Sequence, residues 1–495
     1  MNTREEESGV VFARDAAGAR SSTAFGREAI AAALQAIAPD AAAAARAERD
    51  WRHGYVRHVV RLVEASTANA QAPLAAARAG LAAIARGARF VRDGDERSVA
   101  EAMAAPRPGW LRTATVRGGD GPPAPLAIPY RGRELAGAAL LRQLDDWLAR
   151  GIVEPSFVQA LRLVHDRPEW LDLSDQHFAL FGAGAELGPF EWLARRRANL
   201  VAVDLPRPAI QQRLIAAARV GNGVLHLPVR GAADADVAAH AGADLLTETP
   251  EIAAWLARFD APLVLGAYAY LDGARHLRVA VAMDAIQAHG AAARRGVALA
   301  MLGTPTDACA VPADAMQAAH ERYAQRPLLA RLWQTPLRWL SGRRLFARNV
   351  QPAGGGFGIA DALIVQQGPN YTLAKRLQQW RALVARADGC LVSTHVAPPS
   401  LTGSVLSNRM MAAAYRSATM FGAEAFSPAT ASSLMAALLV HDLRNPQAAA
   451  NPATPLAHPL QLLADAANHG GLWRMPFAAR SALPVAALIG ALRGR

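Results

Sequence analysis

From residue 176 onward, short apolar runs alternate with longer stretches in which apolar residues recur every three or four positions. A short continuous apolar run suits a strand buried on both faces of a sheet, and an amphipathic stretch between two such runs suits a crossover helix. The pattern predicts strands at 177–181, 200–203, 223–229, 262–267, 297–302 and 390–396. It predicts helices at 211–218, 251–259, 279–294 and 372–387. An α/β domain with a doubly wound parallel sheet follows, spanning 173–480.

The pattern differs on either side. Residues 1–25 read as a frayed tail. Alanine-rich stretches with interspersed arginine and glutamate predict helices at 26–37 and 74–88. A Gly/Pro/Arg stretch at 106–129 reads as a loop or linker, and helical spacing resumes at 133–149 and 156–164. Residues 1–172 are therefore expected to be a mainly helical region, a cap or a surface for homo-oligomerisation. Residues 305–360 interrupt the α/β rhythm with an Arg/Trp/Leu segment at 326–349 and the run Gly354-Gly355-Gly356. A connection of that length inside a domain reads as a lid-like insertion. Residues 481–495 are set apart as a C-terminal tail.

Composition narrows the class. The chain of 495 residues is 52% hydrophobic and 19% charged, which excludes a disordered protein. Cys309 and Cys390 are too few for a disulfide framework or a four-thiolate zinc site, and the histidines lack metal-ligand spacing, so no metal is expected. The acidic start Met1-Asn2-Thr3-Arg4-Glu5-Glu6-Glu7 is unlike a secretory signal, and no uninterrupted apolar stretch reaches the ~18 residues of a membrane span. A cytoplasmic protein is expected, with 326–349 able to lie peripherally on a membrane through its tryptophans, leucines and arginines. The formal charge of +12 is spread over short clusters such as Arg195–Arg197 and Arg343–Arg344, with no nucleic-acid motif beside them. It reads as a solvated arginine surface, without a nucleic-acid partner.

Two features carry chemistry. The first strand runs into Gly182-Ala183-Gly184-Ala185-Glu186-Leu187-Gly188. Glycines there permit a tight strand-to-helix turn, close approach of a pyrophosphate and close helix packing. The spacing is one residue longer than the usual dinucleotide fingerprint. The next strand ends in Asp204, a carboxylate able to accept both ribose hydroxyls of an adenosine and to repel a 2′-phosphate, which favours NAD over NADP; Arg207 nearby leaves NADP open. The second feature is a solitary lysine: the basic residues are 52 arginines and Lys375. Lys375 lies four residues after Tyr371, on the same face of a helix. An ammonium there would lower the phenol pKa, and it is compact enough to bind a ribose where a guanidinium is not.

On these residues the chain resembles the short-chain dehydrogenase/reductase superfamily. Tyr371 and Lys375 match its Tyr-x-x-x-Lys pair. The segment Ala397-Pro398-Pro399-Ser400-Leu401-Thr402 after the last strand is similar to the family's proline motif beside the nicotinamide. The resemblance covers roughly 176–445 and implies a Rossmann-like domain transferring hydride between NAD or NADP and a carbonyl/alcohol substrate. It implies Tyr371 as acid/base and Lys375 as its partner and ribose ligand. Gly182, Gly184, Gly188, Asp204, Gly266, Pro398 and Thr402 would bind the cofactor; Gly266-Ala267-Tyr268-Ala269 stands where the family has Asn-Ala-Gly. The family's carbonyl-binding serine is missing, and Thr304, Thr306, Gln366, Gln367 or Asn370 could replace it, Thr304 if the insertion loops away from the site. The arginine-studded insertion suggests a bulky, hydrophobic or anionic substrate. An S-adenosylmethionine-dependent methyltransferase and a non-catalytic binding or sensor protein are the alternative readings.

Overall fold

The computed structural model describes residues 7–231 and 236–493. Seven strands build the central sheet: β1 (Arg112–Arg117), β2 (His177–Phe181), β3 (Asn199–Val203), β4 (Val224–Val229), β5 (Leu263–Ala267), β6 (Ala298–Gly303) and β7 (Leu391–Val396). Their order across the sheet is β7-β6-β5-β2-β3-β4-β1. Strands β2 to β7 are mutually parallel, and β1 joins antiparallel to β4. The six strands expected from the apolar runs are all there, with ends shifted by at most one residue. Because β2 lies between β3 and β5, the chain leaves β2 and β5 in opposite directions, and a crevice opens between their carboxyl ends.

Helices cover both faces of this mostly parallel α/β sheet. Those that matter below are α1 (Phe190–Ala194), α2 (Gly273–Ala293), α3 (Leu328–Leu340), α4 (Gly368–Ala387), α5 (Arg409–Ser417), α6 (Pro428–Arg444) and α7 (Ala479–Arg493). Side chains alternate along each strand, so β2 sends Phe178 and Leu180 into one core with α6, and Ala179 and Phe181 into another with α2 and α4. Double coverage explains why the strands read as unbroken apolar runs.

Four expectations change. Residues 106–129 contain β1, an edge strand with arginine at both ends, and half of a hairpin, Ala127–Tyr130 paired with Arg133–Ala136. Glycine and proline around them mask two strands too short to show a period. The helix expected from residue 133 consequently starts at Gly137. Within the stretch read as a frayed tail, Gly9–Phe12 forms a buried strand against Ala88–Arg92, while residues 1–6 lie outside the described residues. Most of 481–495 belongs to α7, which is packed along α5.

The helices before β1 cover α4. Gly80 in the helix Ala72–Gly87 has Trp380 of α4 directly over it, and a Cβ at residue 80 would come within 2.5 Å of the ring. On its other side Arg381 of α4 grips Asp284 of α2 with two hydrogen bonds, of 2.6 and 3.0 Å. Pro369 occupies the first turn of α4, where a missing N–H costs nothing. Enclosed this way, α4 is apolar or polar-paired on nearly every face.

The insertion at 305–360 has a rigid base. Ala308–Val311, Gly358–Asp361 and Gln351–Pro352 form a three-stranded antiparallel sheet. Pairing Ala308 with Asp361 returns the chain to its starting point, so Thr304 and Gln367 emerge side by side. Among the described residues no helix is long and apolar enough to cross a membrane.

His395 in β7 lies far from solvent, its Nε2 2.6 Å from Asp442 of α6 and its Nδ1 3.1 Å from the Asp465 carbonyl. Both ring nitrogens are taken, so His395 is a brace between sheet and helix rather than a group facing a ligand. Burial opposes its charging, but the Asp442 carboxylate outweighs burial and raises its pKa to about 9. A raised pKa stabilises the fold fully below the unfolded value of about 6.5 and loses that contribution as pH rises through 9. His395→Ala leaves Asp442 with His441 alone and is expected to cost about 3 kcal/mol in urea unfolding at pH 6, with a smaller loss at pH 9.5.

Candidate functional site

The carboxyl ends of β2, β3, β5, β6 and β7 meet at the crevice, and the candidate residues distribute over its two sides. On one side is the glycine turn. Gly182 has φ +78°, a backbone that disfavours any side chain, and a Cβ there would press on the backbone of Ala269 just after β5. At Gly184 a Cβ would collide with the Arg213 guanidinium and approach the Asp204 carboxylate. The turn therefore requires glycine at Gly182, whereas a side chain at Gly184 would have to push the Arg213 side chain aside. Asp204 accepts the Gly184 N–H at 2.8 Å through Oδ2 and the Leu205 N–H at 2.8 Å through Oδ1, which orients its carboxylate and leaves a lone pair free on each oxygen. Arg213, which donates to the Gly184 carbonyl at 2.7 Å, is the cation bordering Asp204; the sequence pointed instead to Arg207.

Dinucleotide phosphates need free backbone N–H groups. Those of Gly182, Ala183, Gly184, Ala185 and Gly188 are engaged within the turn or with β3 and Asp204. Glu186 and Leu187 donate no hydrogen bond among the described residues, so their N–H groups are the available phosphate ligands. Fit is good for an adenosine ribose and for one phosphate at the turn. The Glu186 side chain works against a second: it spans the crevice to accept the Gly403 N–H at 3.0 Å. A carboxylate beside a pyrophosphate is repulsive, so that bond must open for a dinucleotide to seat.

Across the crevice, α4 brings Tyr371 and Lys375 to the end of β6. Lys375 Nζ donates to the Leu302 carbonyl at 3.0 Å and to Gln378 Oε1 at 3.2 Å, and sits 5.9 Å from the Tyr371 ring centroid. Burial lowers the Lys375 pKa to about 8, against a small opposing pull from Asp307. Tyr371 is shifted the other way from the sequence expectation. Burial raises its phenol pKa, a hydrogen bond with the Thr304 side chain only partly offsets this, and Lys375 does not lower it. The reason is geometric: the ammonium is aimed at the Leu302 carbonyl, beneath the ring, and not at the phenol oxygen. Tyr371 is a protonated phenol at neutral pH.

The expected polar companions do converge. Thr304 Oγ1 lies 2.9 Å from Thr306 Oγ1, and Gln367 Nε2 donates to Thr306 at 2.8 Å. Behind them Asp307 is held by Arg376 and by Gln379 at 3.1 Å, a buried ion pair that fixes the β6 end against α4. Three groups around Tyr371 were not found by sequence reasoning. His276 of α2 stacks on its ring at 5.4 Å, Tyr270 meets it edge-on at 6.2 Å, and Tyr415 of α5 is close enough for Tyr371 to add to the cost of ionising it, beside the larger cost of burial. Burial, with Lys375 nearby, lowers the His276 pKa to about 3, so it is neutral, and its Nε2 has no partner among the described residues.

Gly266 and the proline motif are placed differently. Gly266 is buried within β5 with the Tyr268 ring packed over it, a packing glycine away from the crevice surface. Pro398 is buried just after β7, and Thr402 immediately precedes the short helix Gly403–Ser407 that receives Glu186, so this loop and the glycine turn close the crevice from two sides.

An apolar pocket, partly open to solvent, leads to this cluster. Thr306, Ile364 and Pro399 line its inner end; Met411, Tyr415 and Ala482 are among the residues along its apolar wall. Its lining suits an apolar group.

The buried ammonium yields a test. A lysine with a lowered pKa costs stability below its folded pKa, and the cost fades as pH rises from about 8 towards 10.5. Lys375→Met is therefore expected to raise the melting temperature at pH 7, with the gain shrinking between pH 8 and 10.5 in thermal unfolding followed by circular dichroism.

Comparison with protein-family models, with curated proteins and with solved structures finds no match to this chain, so its site is read from geometry alone.

Proposed function

We propose that the protein is an oxidoreductase with a Rossmann-like domain that reduces a carbonyl, or oxidises the corresponding alcohol, with a nicotinamide dinucleotide. One observation carries this reading: Tyr371, Thr304 and Lys375 converge at the carboxyl end of β6, facing a glycine turn that closes on Asp204. A nicotinamide nucleotide held at the turn would supply or accept the hydride. The chain's own residues handle the oxygen. The Tyr371 phenol, kept protonated by burial, donates its proton to the alkoxide oxygen as hydride arrives at carbon. Thr304, held by Thr306, which in turn accepts from Gln367, orients that oxygen. Lys375, bonded to the Leu302 carbonyl, anchors α4 to β6 and so holds Tyr371 in place. Asp204 favours NAD, whereas Arg213 beside it gives a 2′-phosphate a counter-charge.

A second reading has its own support. Glu186 repels a pyrophosphate but not S-adenosylmethionine, which is cationic at sulfur and carries the same ribose hydroxyls. A methyltransferase would need neither Tyr371 nor Lys375.

Thermal-shift titration separates the two. NADH or NADPH is expected to raise the melting temperature and S-adenosylmethionine to leave it unchanged; a shift with S-adenosylmethionine alone ends the oxidoreductase reading. Glu186→Gln is expected to tighten NADH binding on the order of 10-fold, the equivalent of ~1.4 kcal/mol of relieved repulsion. Tyr371→Phe is expected to retain NADH binding and lose at least about 100-fold in turnover of carbonyl substrates, and turnover left intact would remove the mechanism.

A further inference from the structure

The net charge of the chain is segregated, and so are its exposed apolar residues. Segments 322–360, 403–423 and 466–495 contain 13 arginines and no aspartate or glutamate. The remainder is close to neutral, with 40 basic residues against 41 acidic ones. Of the 15 large apolar residues exposed among the described residues, 11 lie in the same three segments.

These segments adjoin in space. Trp333 of α3 packs on Phe346 with ring centroids 5.2 Å apart, and Phe346 packs on Phe477 at 5.0 Å. The Phe346 and Ala347 N–H groups donate to Ser481 of α7, and Ser417 of α5 donates to the Ala486 carbonyl of α7 at 2.7 Å.

Helix α3 is turned inside out. At 100° per residue, Leu328, Leu329, Leu332, Pro336, Trp339 and Leu340 share an arc of about 120°. That arc faces outward, with Leu340 84% exposed, while Gln334 on the opposite side is 7% exposed and accepts from Arg326. Arg331, Arg343 and Arg344 border the arc and form no ion pair among the described residues; Arg343 lies over the Trp339 ring at 4.9 Å. Leu488 and Leu492 of α7 and Met420 after α5 extend the apolar surface.

We infer that this face docks on an anionic phospholipid bilayer, with α3 lying in the interface. Apolar side chains at acyl depth, tryptophan at headgroup depth and unpaired arginines on phosphate are the chemistry such a surface selects. A second copy of the chain is disfavoured as the occupant, because pairing like faces would oppose two sets of arginines, Arg331, Arg343 and Arg344, that have no ion-pair partner among the described residues. Resting on the function proposed above, the placement also names the substrate class. Helices α5 and α7 wall the apolar cavity that ends at Thr306, so a lipid-like carbonyl or alcohol would pass from the bilayer to Tyr371 without crossing water.

Flotation of the full chain with vesicles, without any nucleotide, tests the docking. Binding is expected to phosphatidylcholine vesicles containing about one third phosphatidylglycerol, and to fall about 10-fold or more on pure phosphatidylcholine. Leu329→Ser with Leu340→Ser, both solvent-exposed, is expected to lose about 10-fold or more, and Arg343→Ser with Arg344→Ser to lose a similar amount at low salt only. Equal binding to neutral and anionic vesicles would overturn the inference. So would absence of vesicle binding together with a dimer, in sedimentation velocity, that Leu329→Ser/Leu340→Ser dissociates. The substrate route has a separate probe: saturable fluorescence enhancement of parinaric acid, abolished by Ala418→Trp at the cavity wall. Enhancement that persists in this variant overturns the route. Neither readout depends on nicotinamide binding, so failure of the proposed reaction would show separately.

Discussion

The buried ammonium of Lys375, hydrogen-bonded to the Leu302 carbonyl, is the constraint on which the site depends. A charge withdrawn from most of the solvent is tolerated only where acceptors are fixed, and here one acceptor belongs to β6 and the other to α4 itself. That bond sets the rotation of α4 on the sheet, and so sets where Tyr371 points. The surrounding architecture keeps α4 from relaxing: Trp380 is pinned under Gly80, Arg381 is bound to Asp284, and Arg376 is paired with Asp307. The helices before β1 thereby contribute to the site without touching it. An arginine at position 375 would bring a wide planar fork into a space that accommodates a compact ammonium, which gives a physical reason for the one lysine in a chain of arginines.

A second division runs across the molecule. On the glycine-turn side the polar groups hold one another, with Asp204 bound to the turn and Glu186 bound to Gly403. Around α3, α5 and α7 the surface is apolar and basic, with Asp314 and Asp361 of flanking segments pairing Arg474 and Arg480. The apolar pocket walled by α5 and α7 reaches Thr306, so the proposed reaction site borders this greasy, cationic side of the molecule. This polarity gives the +12 charge a location, where the order of arginines along the chain suggests only scatter.

Strands buried on both faces must be apolar at every position, and for that reason β2 to β7 are legible as runs. Strand β1 is not, since an edge strand bracketed by glycine and proline needs no such run. Thr304 beside Tyr371 is legible only as a conditional: 67 residues separate them, and the proximity depends on the pairing of Ala308–Val311 with Gly358–Asp361, a register that two short segments do not announce. The aromatic surroundings of Tyr371, His276 and Tyr270 from one loop and helix and Tyr415 from another, are products of tertiary packing with no local signal. The acid-free segments do have a signal. It lies in the spacing of aspartate and glutamate rather than of arginine, and by that measure 322–360 stands out from the amino-acid order alone.

The central claim is that the glycine turn at Gly184 seats a dinucleotide within reach of Tyr371. NADH fluorescence tests it most directly, titrated into the unaltered chain and into Gly184→Val, whose added side chain would displace Arg213 and crowd Asp204. The account predicts a saturable enhancement and blue shift in the first, lost in the second with its circular dichroism unchanged. Enhancement of equal amplitude and affinity in both, or none in either, would contradict it.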